Sequence, residues 1–456
     1  MASKIRLCVN TQTPLIMFKI GYSALLEKYG ELQEPVSLKD LTFGEDYEYA
    51  PGGVTAMVYP LLRRLLEDGY VGQARWISLS PNAPPEVVTD GITLHHIQPD
   101  REYVAPYTNF KEGIWREFHD LGPIQFEPDE YQAYAIYNWL SAQLMLKLVS
   151  EVDLFWIHDF QQLQVGNLIG PSAPAIFRWH IPFNFERVSP RMRTFILKSI
   201  EGYDAVVVST KRDLEGLIRA RYHGKAYQAY PSIDARKWTY SSPSKIEDFE
   251  ERFRLRKTDT VILYVSRMDF VKSQDIAIKA LPLVLKKYPD VKLLLVGNGS
   301  FSGTRSGGLA HPKSSLWKTQ NEEIAKECGV VENVIFSGHL SEDRVRTAYS
   351  RADMCLLPSR TEGFGLTIIE AWQYKKPVIV SRGAGVAELI NEGVNGYTFE
   401  PGNVEDLASK IEIFMSNKEK AVKLGESGFD TGKLCHVDRS TEVVKGIFDA
   451  TLDLYK

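Results

Sequence analysis

The chain has 456 residues, 44% of them hydrophobic, and carries a formal net charge of −4. A single hydrophobic core stops growing at about 250–300 residues, so the length predicts two domains. Lysine and arginine nearly balance aspartate and glutamate. The composition therefore indicates neither a surface that binds polyanions nor a disordered acidic tail, and it argues against nucleic acid as a partner.

The cysteines and the apolar segments bear on the compartment. Cys8, Cys328, Cys355 and Cys435 form no CxxC pair, and Cys8 and Cys355 lie in apolar runs, which is typical of reduced core residues. The segment 1–10 lacks the apolar stretch of a signal peptide, and nowhere do about 18 uncharged apolar residues follow one another. We therefore expect a cytoplasmic protein without a transmembrane segment. Peripheral membrane contact stays open, although no strongly basic amphipathic stretch favours it.

Short apolar runs bounded by turn residues recur along the chain and are typical of buried, parallel strands. Helical patterns lie between them, for example at 274–288 and 342–352. This alternation predicts an α/β protein with doubly wound sheets. The predicted strands are 4–9, 153–159, 204–209, 260–266, 291–297, 333–338, 353–359 and 377–381.

A polar stretch at 239–259 interrupts the alternation, which restarts at Val261. We therefore expect domains at 1–239 and 240–435, followed by a C-terminal helix at 436–456 that packs back on the first domain. Ligands of such α/β units bind beyond the carboxyl ends of the strands. The chemistry is therefore expected in the loops that follow the strands.

The segment 358–381 places a glycine-containing loop between a buried strand and an amphipathic helix that begins near Leu366. Free N–H groups at a helix start, beside glycines that allow close approach of the backbone, suit a pyrophosphate. Glu362 lies before the helix and Glu370 about one turn inside it, so their carboxylates would flank a ligand bound there. One can bind a sugar hydroxyl and the other a ribose. An ordinary strand-to-helix turn would also explain the glycines on their own.

The arrangement E-G-F-G-x4-E, from Glu362 to Glu370, resembles the E-x7-E signature of family 4 glycosyltransferases. These enzymes have the GT-B fold, in which two facing Rossmann-like domains form an interdomain cleft. The resemblance implies a retaining glycosyltransferase that moves a hexose, with glucose the first choice, from a nucleotide-diphosphate sugar to a hydroxyl. It also implies an acceptor-binding N-terminal domain, a C-terminal domain that binds the nucleotide sugar, and no cofactor.

The same resemblance assigns the residues of the site. The segment 264–275 is similar to the family's post-strand loop, whose arginine and lysine hold the donor phosphates, and this assigns Arg267 and Lys272. Two fixed cations can neutralise a diphosphate leaving group without a metal, and the sequence contains no Asp-x-Asp pair, so no metal is expected. The expected catalytic residues are Glu362, His180, Arg267 and Lys272. The expected donor-binding residues are Gly52, Gly53, Gly297, His339, Leu340, Gly363, Phe364, Gly365, Leu366, Thr367 and Glu370.

Several of these positions have a plainer interpretation. His180 follows an apolar strand, where the family has a histidine close to the donor sugar, but a core histidine would fit the same pattern. His158 and Asp159 end another strand, and their role stays open. Gly52 and Gly53 could form a capping turn, and Arg267 and Lys272 could be a solvated pair. The stretch 301–317 is longer than the usual family turn, so the pocket for the nucleobase can differ.

The acceptor is the least defined part of the prediction. About forty residues, 10–50, separate the first strand from Gly52, and together with the WIHDF and RWHIPF segments this is similar to trehalose-forming transferases, which suggests a small soluble sugar as acceptor. The segment 81–135, rich in proline, tyrosine and phenylalanine, is expected to be irregular and to shape the acceptor site. A sugar-nucleotide epimerase, a phosphorylase on the same fold and a non-catalytic binding subunit are the alternatives. The oligomeric state, the nucleobase and the linkage stay open.

Overall fold

The computed structural model describes residues 4–50, 52–297 and 313–456. It divides the chain into two compact units. The first comprises the chain up to Tyr230 together with Val437–Lys456, and the second runs from Pro231 to His436 in the part of the chain that is described. No helix among the described residues is long and apolar enough to cross a membrane.

The first unit is built on a nine-stranded sheet. In chain order the strands of this unit are β1 (Ile5–Thr11), β2 (Ile16–Phe18), β3 (Val36–Ser37), β4 (Tyr47–Tyr49), β5 (Val71–Leu79), β6 (Glu86–Thr89), β7 (Ile92–Ile97), β8 (Leu154–His158), β9 (Ala175–Arg178), β10 (Ala205–Val208) and β11 (Lys225–Gln228). Its helices before residue 230 are α1 (Tyr22–Tyr29), α2 (Gly53–Glu67), α3 (Arg101–Phe118), α4 (Pro128–Leu148), α5 (Val165–Ile169), α6 (Pro190–Ile200) and α7 (Lys211–Arg219).

The strand order of this sheet is β11-β10-β9-β8-β1-β5-β7-β6-β3, while β2 and β4 form a separate antiparallel pair. β1 pairs in parallel with both β5 and β8 and lies at the centre. Every residue of β8 is buried, as expected for a near-continuous apolar strand that is covered on both faces. The apolar runs in the sequence therefore have a direct cause, because central parallel strands contact solvent on neither face.

The second unit contains a six-stranded sheet of parallel strands in the order β14-β13-β12-β15-β16-β17. Its strands are β12 (Thr260–Val265), β13 (Val291–Val296), β14 (Val334–Gly338), β15 (Met354–Leu357), β16 (Val378–Ser381) and β17 (Tyr397–Phe399). Its helices are α8 (Pro243–Phe253), α9 (Gln274–Leu285), α10 (Lys313–Glu327), α11 (Glu342–Arg351), α12 (Leu366–Gln373), α13 (Val404–Ser416) and α14 (Lys418–Gly432). β12 lies between β13 and β15, so the loops after these three strands emerge at one sheet edge.

The C-terminal helix α15 (Val437–Leu452) belongs to the first unit. Lys445 of α15 forms an ion pair with Asp68 at 2.8 Å, and the Tyr70 hydroxyl donates to Asp449 at 2.7 Å. The Phe448 ring packs edge-on against Trp156 of β8 with ring centroids 5.3 Å apart. The helix is therefore attached both by an apolar contact and by polar contacts at its margin.

The boundary between the units lies after Tyr230, whereas the sequence analysis placed it after residue 239. The difference arises because residues 231–241 bond to the second unit: the Ile233 amide donates to the Cys435 carbonyl at 2.9 Å and the Tyr240 hydroxyl to the Tyr374 carbonyl at 2.7 Å. The polar stretch that follows forms α8, whose start is capped by Ser242. The roles assigned to the two domains stay predictions.

The segment 81–135 is mostly regular, so the prediction of an irregular region is wrong. It contains β6, β7, α3 and the start of α4. Four buried residues recur at helical spacing along α3, namely Tyr107, Phe110, Ile114 and Phe118. The ring of Phe110 packs on that of Tyr134 in α4, with ring centroids 4.9 Å apart. Proline and aromatic residues suggested a loop, but the aromatic rings form the core between two helices, and Pro106 is tolerated inside α3.

Candidate functional site

A lysine and a glutamate meet beyond the ends of two neighbouring strands of the second unit. Lys272 follows β12 in a short 3-10 turn, and Glu362 follows β15. The Lys272 Nζ forms an ion pair with the Glu362 Oε2, and the two side chains are only 14% and 19% exposed. The Ser359 hydroxyl also donates to Glu362 Oε2, at 3.4 Å. The pair is shielded from solvent, so its charges interact more strongly than surface charges would.

The loop that carries Glu362 is held against the loop that follows β16. The Glu362 amide donates to the Gly383 carbonyl at 3.2 Å, the Gly385 amide to the Glu362 carbonyl at 3.0 Å, and the Val386 amide to the Phe364 carbonyl at 2.8 Å. A Cβ on Gly383 would overlap the Arg360 carbonyl, so only glycine allows the loops to approach. The position of Glu362 is therefore fixed by backbone contacts on both sides.

Helix α12 begins directly after this loop. Gly365 has φ +109°, which favours glycine, and a Cβ there would lie 2.5 Å from Leu357 Cδ2. The N-cap residue of the helix is Gly365 itself, which has no side chain that could accept from the first N–H groups. The first N–H groups of α12 therefore point away from the helix beside the Lys272–Glu362 pair, a geometry suited to an anion. Gly363 and Phe364 are buried within the loop.

Glu370 lies one turn into α12, and its hydrogen-bond partner differs from those of the Lys272–Glu362 pair. The Tyr349 hydroxyl donates to Glu370 Oε2 at 2.8 Å. Burial disfavours the charged form and raises the pKa of the Glu370 carboxyl to about 7, although the hydrogen bond from Tyr349 acts in the opposite direction. The carboxyl can therefore change its protonation state near neutral pH.

Arg267 and Gly297 follow the neighbouring strands β12 and β13. Gly297 has φ +136°, and a Cβ there would overlap the carbonyl oxygen of Ser266. The buried Gln274 side chain donates to the Arg267 carbonyl at 2.8 Å and accepts from the Trp317 indole at 2.7 Å. The backbone at Arg267 is thus held between Gly297 on one side and the Gln274 side chain on the other.

His339 and Leu340 follow β14, next to the end of β13. The Gly297 amide donates to the Gly338 carbonyl at 3.0 Å, which brings the two strand ends together. His339 is exposed and Leu340 is buried. The residues Asn298 to Ser300 and most of the long stretch 301–317, which the sequence analysis connected with the nucleobase, lie outside the described residues.

Gly52 and Gly53 open helix α2 in the first unit. A Cβ on Gly52 would lie 2.9 Å from Thr55 Oγ1 and 3.0 Å from Thr13 Cγ2, whereas nothing lies within 4 Å of a Cβ placed on Gly53. Packing therefore restricts Gly52 to a small residue. It places no such restriction on Gly53.

His158, Asp159 and His180 form a cluster in the first unit at the ends of β8 and β9, in which His158 and Asp159 are buried and His180 is partly exposed. His158 Nδ1 and His180 Nε2 lie 3.0 Å apart, and Asp159 Oδ1 accepts from the His180 backbone amide at 3.2 Å. Burial lowers the pKa of both imidazoles well below the usual value, and the nearby Arg178 guanidinium acts in the same direction. Burial raises the pKa of Asp159 to about 7.

Comparison with known proteins identifies the domain that carries these loops. Residues 245–431 match the family described as Glycosyl transferases group 1. The chain carries a group 1 glycosyltransferase domain. Residues 104–214 match the N-terminal domain of trehalose synthase. The sequence-based predictions of a glycosyltransferase and of a fold with two Rossmann-like units are confirmed.

Individual relatives of this glycosyltransferase agree. A D-inositol 3-phosphate glycosyltransferase from Corynebacterium kroppenstedtii is 25% identical over 318 residues, which cover 68% of this chain and 65% of that relative. Sucrose-phosphate synthase from Thermosynechococcus elongatus has a TM-score of 0.72 at 16% identity, over 99% of this chain and 100% of that chain. The Anabaena protein HepE, solved in complex with UDP and glucose, has a TM-score of 0.67 at 17% identity, over 98% and 99% of the two chains. The structural likenesses show the GT-B fold.

The glycosyltransferase brings together part of the predicted site in each unit. In the second unit Lys272 contacts Glu362, and Gly297 adjoins Arg267, while in the first His180 joins His158. Sequence reasoning missed the residues that hold these groups, namely Gln274, Trp317, Tyr349, Ser359 and Arg178. Among residues 4–50, 52–297 and 313–456, no group of three or more histidine, cysteine, aspartate or glutamate side chains is placed to hold a metal ion.

Gly297→Ala tests whether the strand-end geometry is required. A Cβ would overlap the Ser266 carbonyl in a backbone conformation that alanine disfavours, so we expect a loss of about 1–3 kcal/mol in the free energy of unfolding and weaker nucleotide binding. Gly446→Ala is the matched control, since Gly446 lies inside α15 with nothing within 4 Å of its Cβ position, and it should gain about 0.5–1 kcal/mol. Urea denaturation measures the unfolding free energy of each variant, and nucleotide titration measures its affinity. Equal behaviour of the two variants would contradict the steric argument.

Proposed function

We propose that this glycosyltransferase transfers a hexose, glucose by first choice, from a nucleoside-diphosphate sugar to a hydroxyl of a small soluble sugar, with retention of configuration and without a metal. The observation that carries the proposal is the shielded Lys272–Glu362 pair beside the start of α12, whose N-cap residue is a glycine. It supplies a cation and backbone N–H groups for a diphosphate and a carboxylate for the sugar.

The proposed reaction proceeds on one face of the donor sugar. The glycosidic bond to the phosphate loosens, an oxocarbenium-like sugar forms, and the acceptor hydroxyl enters beside the departing diphosphate. Lys272, Arg267 and the amides at the start of α12 stabilise the leaving group, and Glu362 stabilises the positive charge on the sugar. No protein nucleophile is then required. Lys272 exchanges its partner Glu362 for a phosphate oxygen when the donor binds.

The nature of the donor and acceptor follows from the relatives. HepE was solved with UDP and glucose, which favours UDP-glucose as the first donor to test. The match of residues 104–214 to the trehalose synthase N-terminal domain favours glucose as acceptor. The names sucrose-phosphate synthase and D-inositol 3-phosphate glycosyltransferase make phosphorylated sugars and inositol phosphate the competing acceptors.

A panel experiment tests the proposal. The protein is incubated with UDP-, ADP- and GDP-glucose and with glucose, fructose, their phosphates or inositol phosphate, and the products are analysed by mass and by the NMR coupling of the anomeric proton. We expect a disaccharide with the anomeric configuration of the donor, formed equally with and without a chelator. A changed nucleotide sugar without acceptor would indicate an epimerase, and donor binding without turnover would indicate a binding subunit. Formation of a sugar 1-phosphate in a separate incubation with a disaccharide and inorganic phosphate would indicate a phosphorylase.

Glu370→Gln should raise the donor Michaelis constant about 5- to 30-fold with little change in kcat, since a ribose contact contributes equally to the ground and transition states. Because the Glu370 pKa is raised to about 7, the wild-type affinity for nucleotide should fall as the pH drops from 8 to 6. The ionised carboxylate can accept from both ribose hydroxyls, and the protonated one loses part of that capacity.

Isothermal titration of the nucleotide across this pH range measures the effect, and a 2′,3′-dideoxynucleotide is the control. The affinity of Glu370→Gln should change less with pH than that of the wild-type protein, and the change that remains is the titration of the terminal phosphate of the nucleotide. A kcat loss at normal donor affinity would show that Glu370 has a different role.

A further inference from the structure

Two neighbouring imidazoles in the first unit share one hydrogen bond, and its direction decides which nitrogen of His180 carries a hydrogen. His158 Nδ1 and His180 Nε2 lie 3.0 Å apart, and the two ring planes are inclined by only 23°. His158 is completely buried, whereas His180 is partly exposed. His180 is therefore the member of the pair that a ligand can reach.

Both imidazoles are neutral at neutral pH, because burial and the Arg178 charge hold the pKa of each well below the usual value. A neutral imidazole has one N–H and one lone pair. Two arrangements can fill the 3.0 Å gap: either His158 Nδ1–H donates to His180 Nε2, or His180 Nε2–H donates to His158 Nδ1. The first leaves an N–H on His180 Nδ1, and the second leaves a lone pair there.

Arg178 distinguishes these arrangements. It pairs with His158 in the register of β8 and β9, is buried, and donates through its terminal nitrogen to the Ala229 carbonyl at 2.9 Å. Within the part of the chain that the structure describes, neither Arg178 Nε nor His158 Nε2 has a hydrogen-bond partner. The guanidinium charge acts on the His158 imidazole, and a lone pair on His158 Nε2 interacts with it more favourably than an N–H would. An N–H at that position would leave two buried donors, Arg178 Nε and His158 Nε2, without an acceptor.

Asp159 is the other charged group at the cluster. Its Oδ1 accepts from the backbone amide of His180 at 3.2 Å, so the carboxyl lies on the His180 side of the pair. Burial raises the pKa of the Asp159 carboxyl to about 7, so part of the population is ionised at neutral pH, and that ionised form attracts N–H groups and repels lone pairs. The ionised form of Asp159 therefore acts in the same direction as Arg178, favouring a hydrogen on His180 Nδ1, while the protonated form adds no charge to this preference.

We propose that Arg178 and His158 hold His180 in the tautomer with hydrogen on Nδ1 and a lone pair on Nε2. In this state His180 is a hydrogen-bond donor for an oxygen of a bound sugar, and His158 is a positioning residue that acts through it. The tautomer follows from the contacts within the first unit, and the role as donor to the sugar rests on the proposed function.

NMR of the full-length protein tests the tautomer without any assay of activity. The nine histidines are labelled with nitrogen-15, His158 and His180 are assigned by the loss of their signals in single variants, and two-bond proton–nitrogen correlations report the protonated nitrogen. We expect Nδ1–H on both rings at pH 7. The Arg178→Met variant should show a mixture of tautomers for both histidines. An Nε2–H signal for His180 in the wild-type protein would overturn the proposal.

Two substitutions of His158 test its action on His180. Asn can place an N–H where His158 Nδ1 lies, whereas Leu cannot donate. We expect His158→Leu to lower kcat at least about tenfold with little change in the donor KM, and His158→Asn to retain at least about five times the kcat of the Leu variant. Equal losses in two variants of equal melting temperature would overturn the positioning role.

The two parts of the proposal can fail separately. If His180 shows the Nδ1 tautomer but His180→Phe transfers sugar at the wild-type rate, the tautomer stands and the proposed role of His180 in the reaction is wrong. If transfer falls in His180→Phe but the wild-type His180 carries its hydrogen on Nε2, the role in the reaction stands and the action of Arg178 and His158 is wrong.

Discussion

Glu362→Gln is expected to slow sugar transfer by about 30- to 1,000-fold, the effect of losing about 2–4 kcal/mol of transition-state stabilisation. The substitution keeps the size of the side chain and its contact with Ser359 but removes the negative charge. That charge lies at the loop before α12, where a sugar attached to a diphosphate at the helix start would lie. We expect this charge to stabilise the positively charged sugar in the transition state more than the neutral sugar of the bound donor.

Nucleotide affinity should respond differently from turnover. Glu362 forms an ion pair with Lys272, so we expect its carboxylate to compete with the donor phosphates for the lysine. Removing the charge should therefore leave the affinity for the nucleoside diphosphate unchanged or increase it. Lys272→Ala should do the opposite, weakening nucleotide binding and slowing transfer together, because a charge-assisted contact of about 1.5–3 kcal/mol is lost.

Parallel measurements of nucleotide affinity by titration and of kcat separate the possibilities. Glu412→Gln is a matched control, since Glu412 forms an ion pair with Lys287 at 2.6 Å elsewhere in the second unit. It should leave both quantities unchanged. A Glu362→Gln enzyme with near-wild-type turnover would refute a role in the chemistry and return Glu362 to that of a loop residue, for which the loss of charge costs at most about 1 kcal/mol of stability.

The parallel sheets were predictable because buried strands leave a strong pattern. All eight predicted strands are present within a few residues, including β8 and β15, whose side chains are all buried and, apart from His158, apolar. The prediction of an irregular segment at 81–135 was wrong because the helical pattern there is weak. Its aromatic residues recur at helical spacing along α3, but proline residues and tyrosine hydroxyls made the pattern look polar and irregular.

The candidate site was predictable only where one segment contains the whole pattern. Glu362, the loop glycines and Glu370 lie within one strand–loop–helix, so their spacing carries the information. The contacts of Glu370 with Tyr349, of Gln274 with Trp317 and of His158 with His180 join residues 21, 43 and 22 positions apart. Side chains that meet only after folding leave no spacing signal, and a single sequence does not show which of them pair.

Asp159 combines two unfavourable features at the candidate site of the first unit. It has φ +72° and ψ 166°, a conformation occupied almost only by glycine, and its side chain is buried. Burial raises the pKa of its carboxyl to about 7, although backbone amides of Phe160, His180 and Ile181 donate to it and act in the opposite direction. Strain and a buried acid at one residue indicate that function, rather than stability, retains it.

The pH dependence of stability follows from the direction of this shift. In the unfolded chain an aspartate has a pKa of about 3.9, so between about pH 4 and 7 the folded state binds a proton that the unfolded state has released. The folded state therefore loses stability as the pH rises through this window, and the loss is complete above about pH 7. Asn cannot ionise and avoids that cost.

Asp159→Asn is accordingly expected to gain about 2–3 kcal/mol in unfolding free energy relative to the wild-type chain between pH 5 and pH 8, whatever constant offset its amide introduces. Urea denaturation of both proteins at the two pH values measures the gain. Asp46→Asn is the matched control, because hydrogen bonds from Lys28 and Tyr29 outweigh burial and lower the pKa of Asp46, which keeps it ionised in both states across this range. The stability difference for Asp46→Asn should therefore be constant between pH 5 and 8. A constant difference for Asp159→Asn as well would show that the Asp159 carboxyl is ionised in the folded protein, and that its contacts with the amides of Phe160, His180 and Ile181 outweigh its burial.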